Sequence, residues 1–216
     1  MIALLLALAA QPSLTLGMDF TLYRPGVDGE SGIGTPYADM FGTGRGPLMG
    51  GHIGATHPVP GGFELSLTLG LTHFEDSAKA FVDDGTLKRS GGETSIVVNP
   101  VSLMLGARFR LLWEALGLPL VPYVEGGLVY APWSVSKGDG TSVASGATPG
   151  LALGGGLYVE LVGVEKRSAK TLRDEFGVES VALRGGVSRM WLDAFGSSSA
   201  LVLSDTAWTF GLEVGF

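Results

Sequence analysis

The sequence predicts an all-β fold, a closed antiparallel up-and-down barrel of about eight strands. Three observations predict it. Large apolar residues recur with period two in segment after segment. The residues between them are mostly Gly, Ala, Ser and Thr. The connections alternate between long polar stretches and tight turns. Period two puts successive side chains on opposite faces of a strand, whereas a helix would scatter the same residues around its circumference.

The clearest segment runs from Phe63 through Leu65, Leu67 and Leu69 to Leu71, interleaved with Glu64, Ser66, Thr68, Gly70 and Thr72. Leu14, Leu16, Met18, Phe20 and Leu22 repeat the pattern, as do Val101 to Leu111, Leu151 to Leu161, Val181 to Val187 and Trp208 to Phe216. Two weaker strands, near 47–57 (Met49, Ile53, Ala55) and 121–133 (Val124, Leu128, Tyr130), bring the expected number to eight. Residues 23–46, 76–95, 134–148 and 192–200 read as polar loops, while 58–62 and 113–119 read as tight turns. Val164 to Phe176 reads as a helix ending at Gly177, a residue suited to the left-handed C-terminal position. Leu172 and Phe176 are expected to lay it over the barrel mouth, and Lys166, Arg167, Lys170 and Arg173 make it basic.

Composition favours a membrane over water. Of 216 residues, 45% are hydrophobic and 16% charged, the latter well under the roughly 25% of a soluble domain. Glycine, at 35 residues, follows no collagen-like period. A net charge of −7 argues against a nucleic-acid partner. The absence of cysteine excludes a disulfide framework and a lipid anchor on cysteine. Met1 to Ala10 is apolar but too short to span a bilayer as a helix. Residues 1–9 are expected to be a signal peptide, cleaved after Ala9, although no Lys or Arg precedes its apolar run. Residues 10–216 are then the barrel domain.

The face opposite the apolar one decides between a soluble sandwich and a membrane barrel. A solvated face would be rich in Lys, Glu and Thr. Small residues instead suit the crowded lumen of an eight-stranded barrel. The charges assigned inward are Asp19, Glu64, Arg108, Arg110, Glu125, Glu160, Arg184 and Glu213, five acids and three arginines, expected to pair and to fill the lumen. Tyr130, Trp133, Trp191 and Trp208 fall near strand ends, where interfacial aromatic girdles sit. These features predict a transmembrane barrel of the cell outer membrane with a short periplasmic helix. Its partners are then outer-membrane lipid and, through the alternating last strand ending in Phe216, the barrel-assembly machinery.

The chain also resembles predicted outer-membrane β-barrel proteins described from myxobacteria, small porin-like barrels of the eight-stranded kind. The resemblance is carried by Tyr23-Arg24-Pro25 with Asp28, by Pro36-Tyr37 and by Phe41-Gly42. It continues in Val121-Pro122-Tyr123, Gly126-Gly127-Leu128 and Tyr130, and closes in Leu203-Ser204-Asp205 and Trp208 to Leu212. It covers about residue 18 to the end and implies a fold and a location, without an assigned activity.

Chemistry is sparse. His52, His57 and His73 are the three histidines. His73 lies near Thr72, Glu75 and Asp76, but strand neighbours point to opposite faces, so Thr72 is poorly placed as its nucleophile. No G-x-S-x-G motif occurs. Asp28, Glu30, Asp83 and Asp84 lack the spacing of a calcium loop. No catalytic, cofactor-binding or metal residue is assigned, no cofactor is expected, and the chain reads as a non-enzyme. The expected role is structural or surface-binding through the external loops, with the surface ligand unknown. A narrow solute channel, a lipid-modifying enzyme and a soluble exported lipocalin-like barrel are the competing readings.

Overall fold

The computed structural model describes residues 12–29, 34–81, 89–137, 141–161, 166–197 and 200–216. The expected signal peptide, 1–9, lies outside them, as do Glu30, Asp83 and Asp84. Nine strand segments form one antiparallel sheet: β1 (Ser13–Tyr23), β2 (Gly46–Val59), β3 (Phe63–Phe81), β4 (Arg89–Val98), β5 (Val101–Phe109), β6 (Leu120–Lys137), β7 (Ser142–Glu160), β8 (Ser180–Trp191) and β9 (Asp205–Gly215). Strands β4 and β5 are two halves of one stave. Both pair with β3 on one side and β6 on the other, so the ring has eight positions.

The ring closes between β1 and β9, with Thr15 opposite Gly215 and Thr21 opposite Thr209. Beyond the ladder, Phe216 N donates to Leu14 O (2.8 Å) and Leu14 N to Phe216 O (3.1 Å). The split stave has a local cause. Pro100 has no N–H, and neither does Pro132 beside it. Thr72 N still donates to Pro100 O (3.0 Å) and Asn99 N to Pro132 O (2.9 Å), so one bond of each exchange survives and the ring stays shut.

Four connections leave the loop end of the barrel, and three the turn end, of which the one after β7 is long and helical. At the turn end, β2 and β3 meet through Gly61 and Gly62, both at positive φ, and α2 (Leu111–Leu116) joins β5 to β6. At the loop end, α1 (Pro36–Phe41) lies in the first connection. The basic helix α3 (Lys166–Phe176) follows β7 and ends as predicted. Gly177, at φ 68°, donates to Arg173 O (3.1 Å), and Val178 N donates to Leu172 O (3.2 Å). The bond from Gly177 to Arg173, with Gly177 left-handed, is the αL form of helix stop. Phe176, however, is 65% exposed and does not pack onto the mouth, so only half-buried Leu172 turns inward.

Two further readings of the sequence are corrected. Residues 76–81 and 89–95, and likewise 134–137 and 142–148, continue the strands instead of forming loops. Both faces of these extensions are mostly polar or small, which hides the period-two signal while leaving backbone pairing intact. Trp133 does not join an exterior girdle. It faces inward and packs against the buried cluster, because it stands an odd number of positions from outward Tyr130.

The apolar faces point outward as predicted. Met18, Leu65, Leu67, Leu69, Leu105, Leu153 and Phe210 are exposed, and apolar rows of this kind encircle the ring. No described helix is long and apolar enough to cross a membrane, which bears on helices alone. Leu67, 48% exposed midway along β3, tests the outward face. Leu67→Arg is expected to cost about 2–4 kcal/mol in equilibrium unfolding from lipid vesicles if that row meets lipid. A cost near zero would place the row in water.

Candidate functional site

All eight inward charges predicted from the sequence meet along the lumen, toward its turn end. Each stave contributes a charged, tyrosyl or histidyl side chain, because each presents every second residue to the interior. Arg108 on β5 donates to both carboxylate oxygens of Glu213 on β9, at 2.6 and 2.8 Å. Its guanidinium lies over the Tyr158 ring, 4.4 Å from the centroid. Arg184 on β8 pairs with Glu125 on β6, donates to Tyr123 Oη (2.9 Å) and approaches Asp19 on β1 at 3.9 Å. Nearer the turn end, Arg110 pairs with Glu64 (2.6 Å) and faces Glu160 at 3.9 Å.

His52 on β2 joins the two halves of this network. Its Nδ1 lies 2.6 Å from Asp19 Oδ2 and its Nε2 3.4 Å from Glu213 Oε2. It is buried, and Gly17 on the neighbouring strand makes the space: a Cβ there would fall 2.3 Å from the imidazole. Sequence reasoning weighed His52 only as a catalytic base. The signal that places it in the lumen was present, since Met49, Ile53 and Ala55 point outward and His52 has the opposite parity.

Above the charges the lumen turns apolar. Tyr23, Tyr37, Leu48, Phe74, Val98 and Leu203 belong to one buried cluster at the loop end. Between cluster and charges lies a cavity of about 110 Å³, touched by Asp19, His52 and Arg184 below and by Leu48, Val129 and Met190 above. Asp19 Oδ1 is buried there without a hydrogen-bond partner among the described residues.

Of the motif residues behind the myxobacterial resemblance, those between Tyr23 and Gly42 and those at Leu203 to Asp205 build the cap over this cluster, while the rest lie in β6 and β9. Tyr23 Oη donates to Leu203 O (2.6 Å), across the closing seam. Asp28 pairs with Arg24 (2.5 Å) and accepts from the backbone N–H of Tyr37 (2.7 Å) and Ala38, at the start of α1. Tyr37 Oη donates to Asp76 (2.6 Å) on β3, and its ring stacks on Phe41 at 4.9 Å. Burial, and then the bond to Asp76, push the Tyr37 hydroxyl pKa above its ordinary value. Asp205 accepts from Arg24 N (3.0 Å) and from both Nη atoms of Arg45 (2.5 and 3.0 Å). These polar residues therefore hold a folded loop against the barrel mouth.

His73 is exposed, with Nδ1 2.8 Å from Asn99 Oδ1. Thr72 faces inward and donates to Pro100 O (3.4 Å), as strand parity required. Among the described residues no group of three or more His, Asp or Glu is placed to hold a metal ion.

No family model and no curated protein matches the chain. Solved structures do resemble it. One is Ail, the attachment invasion locus protein of Yersinia pestis, in complex with the heparin analogue sucrose octasulfate. It is 13% identical over 95% of this chain and 97% of that one, with a TM-score of 0.48. Neisserial surface protein A (NspA) is 12% identical over the same shares, with a TM-score of 0.49. The outer membrane protein OprG from Pseudomonas aeruginosa is 13% identical over 96% of each chain, with a TM-score of 0.39. At these identities the likeness concerns the fold.

Two variants test the site. Glu213→Leu leaves Arg108 in the lumen without its carboxylate, and His52 with Asp19 alone, and is expected to cost about 3–5 kcal/mol in unfolding. The double variant Arg108→Met/Glu213→Leu is expected to recover much of that loss, because no charge of the pair is left alone. Equal losses in single and double variants would contradict the pairing. In the cap, Asp28→Ala removes the shared acceptor of Arg24, Tyr37 and Ala38. Limited proteolysis is expected to cut residues 24–45 faster while the strands stay protected. Unchanged cleavage would show that the cap does not depend on Asp28.

Proposed function

We propose that the protein is a transmembrane barrel of the bacterial outer membrane whose lumen is closed to solutes, and that it acts structurally or as a surface-binding protein through its loop end. One observation carries the reading. Every stave puts a charged, tyrosyl or histidyl group into the lumen, in ion-pair and hydrogen-bond contacts that run across it, and an apolar cluster roofs them. An open pore lines its wall with solvated side chains, whereas these side chains are spent on one another.

The membrane itself follows from the exterior. Exposed apolar rows around a closed ring would be an aggregation hazard in water and are the expected surface in lipid. A soluble lipocalin-like barrel would carry its apolar residues inside. In this reading the loop end faces outward and α3 lies on the periplasmic side. Residues 1–9 serve as the export signal, residues 10–216 form the barrel, and the β9 strand ending in Phe216 engages the assembly machinery. Membership of the myxobacterial group rests on the motif residues of the cap, β6 and β9. No catalytic role is included, since His52 is held between two carboxylates.

Planar bilayers test the closed lumen. The purified barrel is expected to give no discrete conductance steps. Reproducible steps would instead favour the narrow-channel reading.

A further inference from the structure

The outward row of β8 carries a charge. Leu183 and Val187 are followed on the same face by Arg189 and then Trp191. Arg189 Nη1 donates to Thr206 Oγ1 (2.7 Å), and its guanidinium lies 5.7 Å from the Trp191 ring centroid. Among the described residues no carboxylate pairs with it. An arginine on a lipid-facing row is costly at the bilayer midplane and nearly free at the interface. Exposed Trp191 and Trp208 beside it mark that interface.

Arg189 opens onto a groove of about 590 Å³ at the outer rim, which Arg24 and Arg45 also line. Three aspartates line it too. Asp28 and Asp205 are engaged by Arg24 and Arg45, and Asp193 lines the groove as well, so its three arginines and three aspartates balance. Arg189 is the arginine of the groove that forms no salt bridge among the described residues, which leaves its guanidinium free to meet a phosphate.

Asp193 begins a tight turn. Its carbonyl accepts from Gly196 N and Ser197 N, both at 3.1 Å, and Ala194 N donates to Pro149 O (3.0 Å) on β7. Ala194 and Phe195 both have left-handed backbone, φ 49° and 59°, which is uncommon without glycine. This conformation leaves the Phe195 ring 66% exposed. On that side lies an apolar groove of about 370 Å³, lined by Leu69, Leu103, Leu128, Tyr130 and Phe195. A polar groove that holds the Arg189 guanidinium and an apolar groove therefore flank one turn on the lipid-facing rim.

We infer that this turn is the seat of one anionic phospholipid-type molecule of the surrounding leaflet, its phosphate on Arg189 and an acyl chain along the groove beneath Phe195. Guanidinium and phosphate form strong charge-assisted bonds, which sets the head-group chemistry. The groove opens where lipid is the solvent, which sets the chain. The inference rests on the membrane reading proposed above.

Native mass spectrometry of the full chain, extracted in detergent with added phosphatidylglycerol or phosphatidylcholine, tests it. The wild type is expected to retain phosphatidylglycerol preferentially. Arg189→Gln should lower that retention about fivefold and leave phosphatidylcholine unchanged. Phe195→Ala should lower both, and Lys137→Gln, a cation of the same end, neither. A gel-mobility shift between unboiled and boiled samples verifies that each variant is folded. Retention unchanged in Arg189→Gln overturns the site, as does displacement of the lipid by millimolar inorganic phosphate, which would mark a free-anion site. A wild type without a mobility shift, recovered without detergent, would instead refute the membrane reading beneath it.

Discussion

The seam between β1 and β9 is the constraint on which the rest depends. A sheet in lipid cannot leave backbone N–H and C=O groups unpaired, since each would cost several kcal/mol, so it must close on itself. Here closure is made by the ladder from Thr15 opposite Gly215 to Thr21 opposite Thr209, extended by the mutual bonds of Leu14 and Phe216. Tyr23 then ties the loop end of the same seam to Leu203. Once the ring is shut at eight staves, the interior is narrow and whatever points inward must pack against its opposite number. Even the break at Pro100 respects this, because bonds from Thr72 and Asn99 carry the pairing past it.

A narrow lumen accounts for the kind of residues it holds. Arginines and carboxylates from opposite staves can reach one another across it, and the tyrosine rings of Tyr123 and Tyr158 give the guanidinium groups a face to lie on. Small residues allow the fit: Gly17 admits His52, and Gly186 leaves room for the Tyr123 hydroxyl, 2.6 Å from where a Cβ would stand. Charges buried this way contribute less to net stability than to fixing one arrangement of the staves, because desolvation offsets much of their attraction. The division into ion pairs below and apolar cap above separates a structural interior from a loop surface able to vary.

Much of this was legible in the sequence, for a physical reason. Parity along a strand is set by the pleat, so Leu65, Leu67 and Leu69 had to share a face, and Glu64, Arg108 and Glu213 had to share the other. The end of α3 was legible from Gly177, which can adopt the left-handed turn a helix stop requires. The failures also have causes. Residues 76–81, 89–95, 134–137 and 142–148 are polar or small where the hairpins rise clear of the apolar rows, so no alternation announced them. Trp133 was judged by its nearness to a strand end when its parity already turned it inward. The role of Asp205 was illegible, because Arg24 and Arg45 lie in a segment that only the closed ring brings to it; Asp28 is held within its own loop, where strand parity says nothing.

The central claim, a closed barrel whose apolar face meets lipid, is tested most directly by heat modifiability. The detergent-extracted membrane fraction is run on SDS gels unboiled and boiled. The account requires a mobility shift, with the protein confined to the outer-membrane fraction. A protein recovered in the soluble fraction without detergent, and migrating identically before and after boiling, would contradict it.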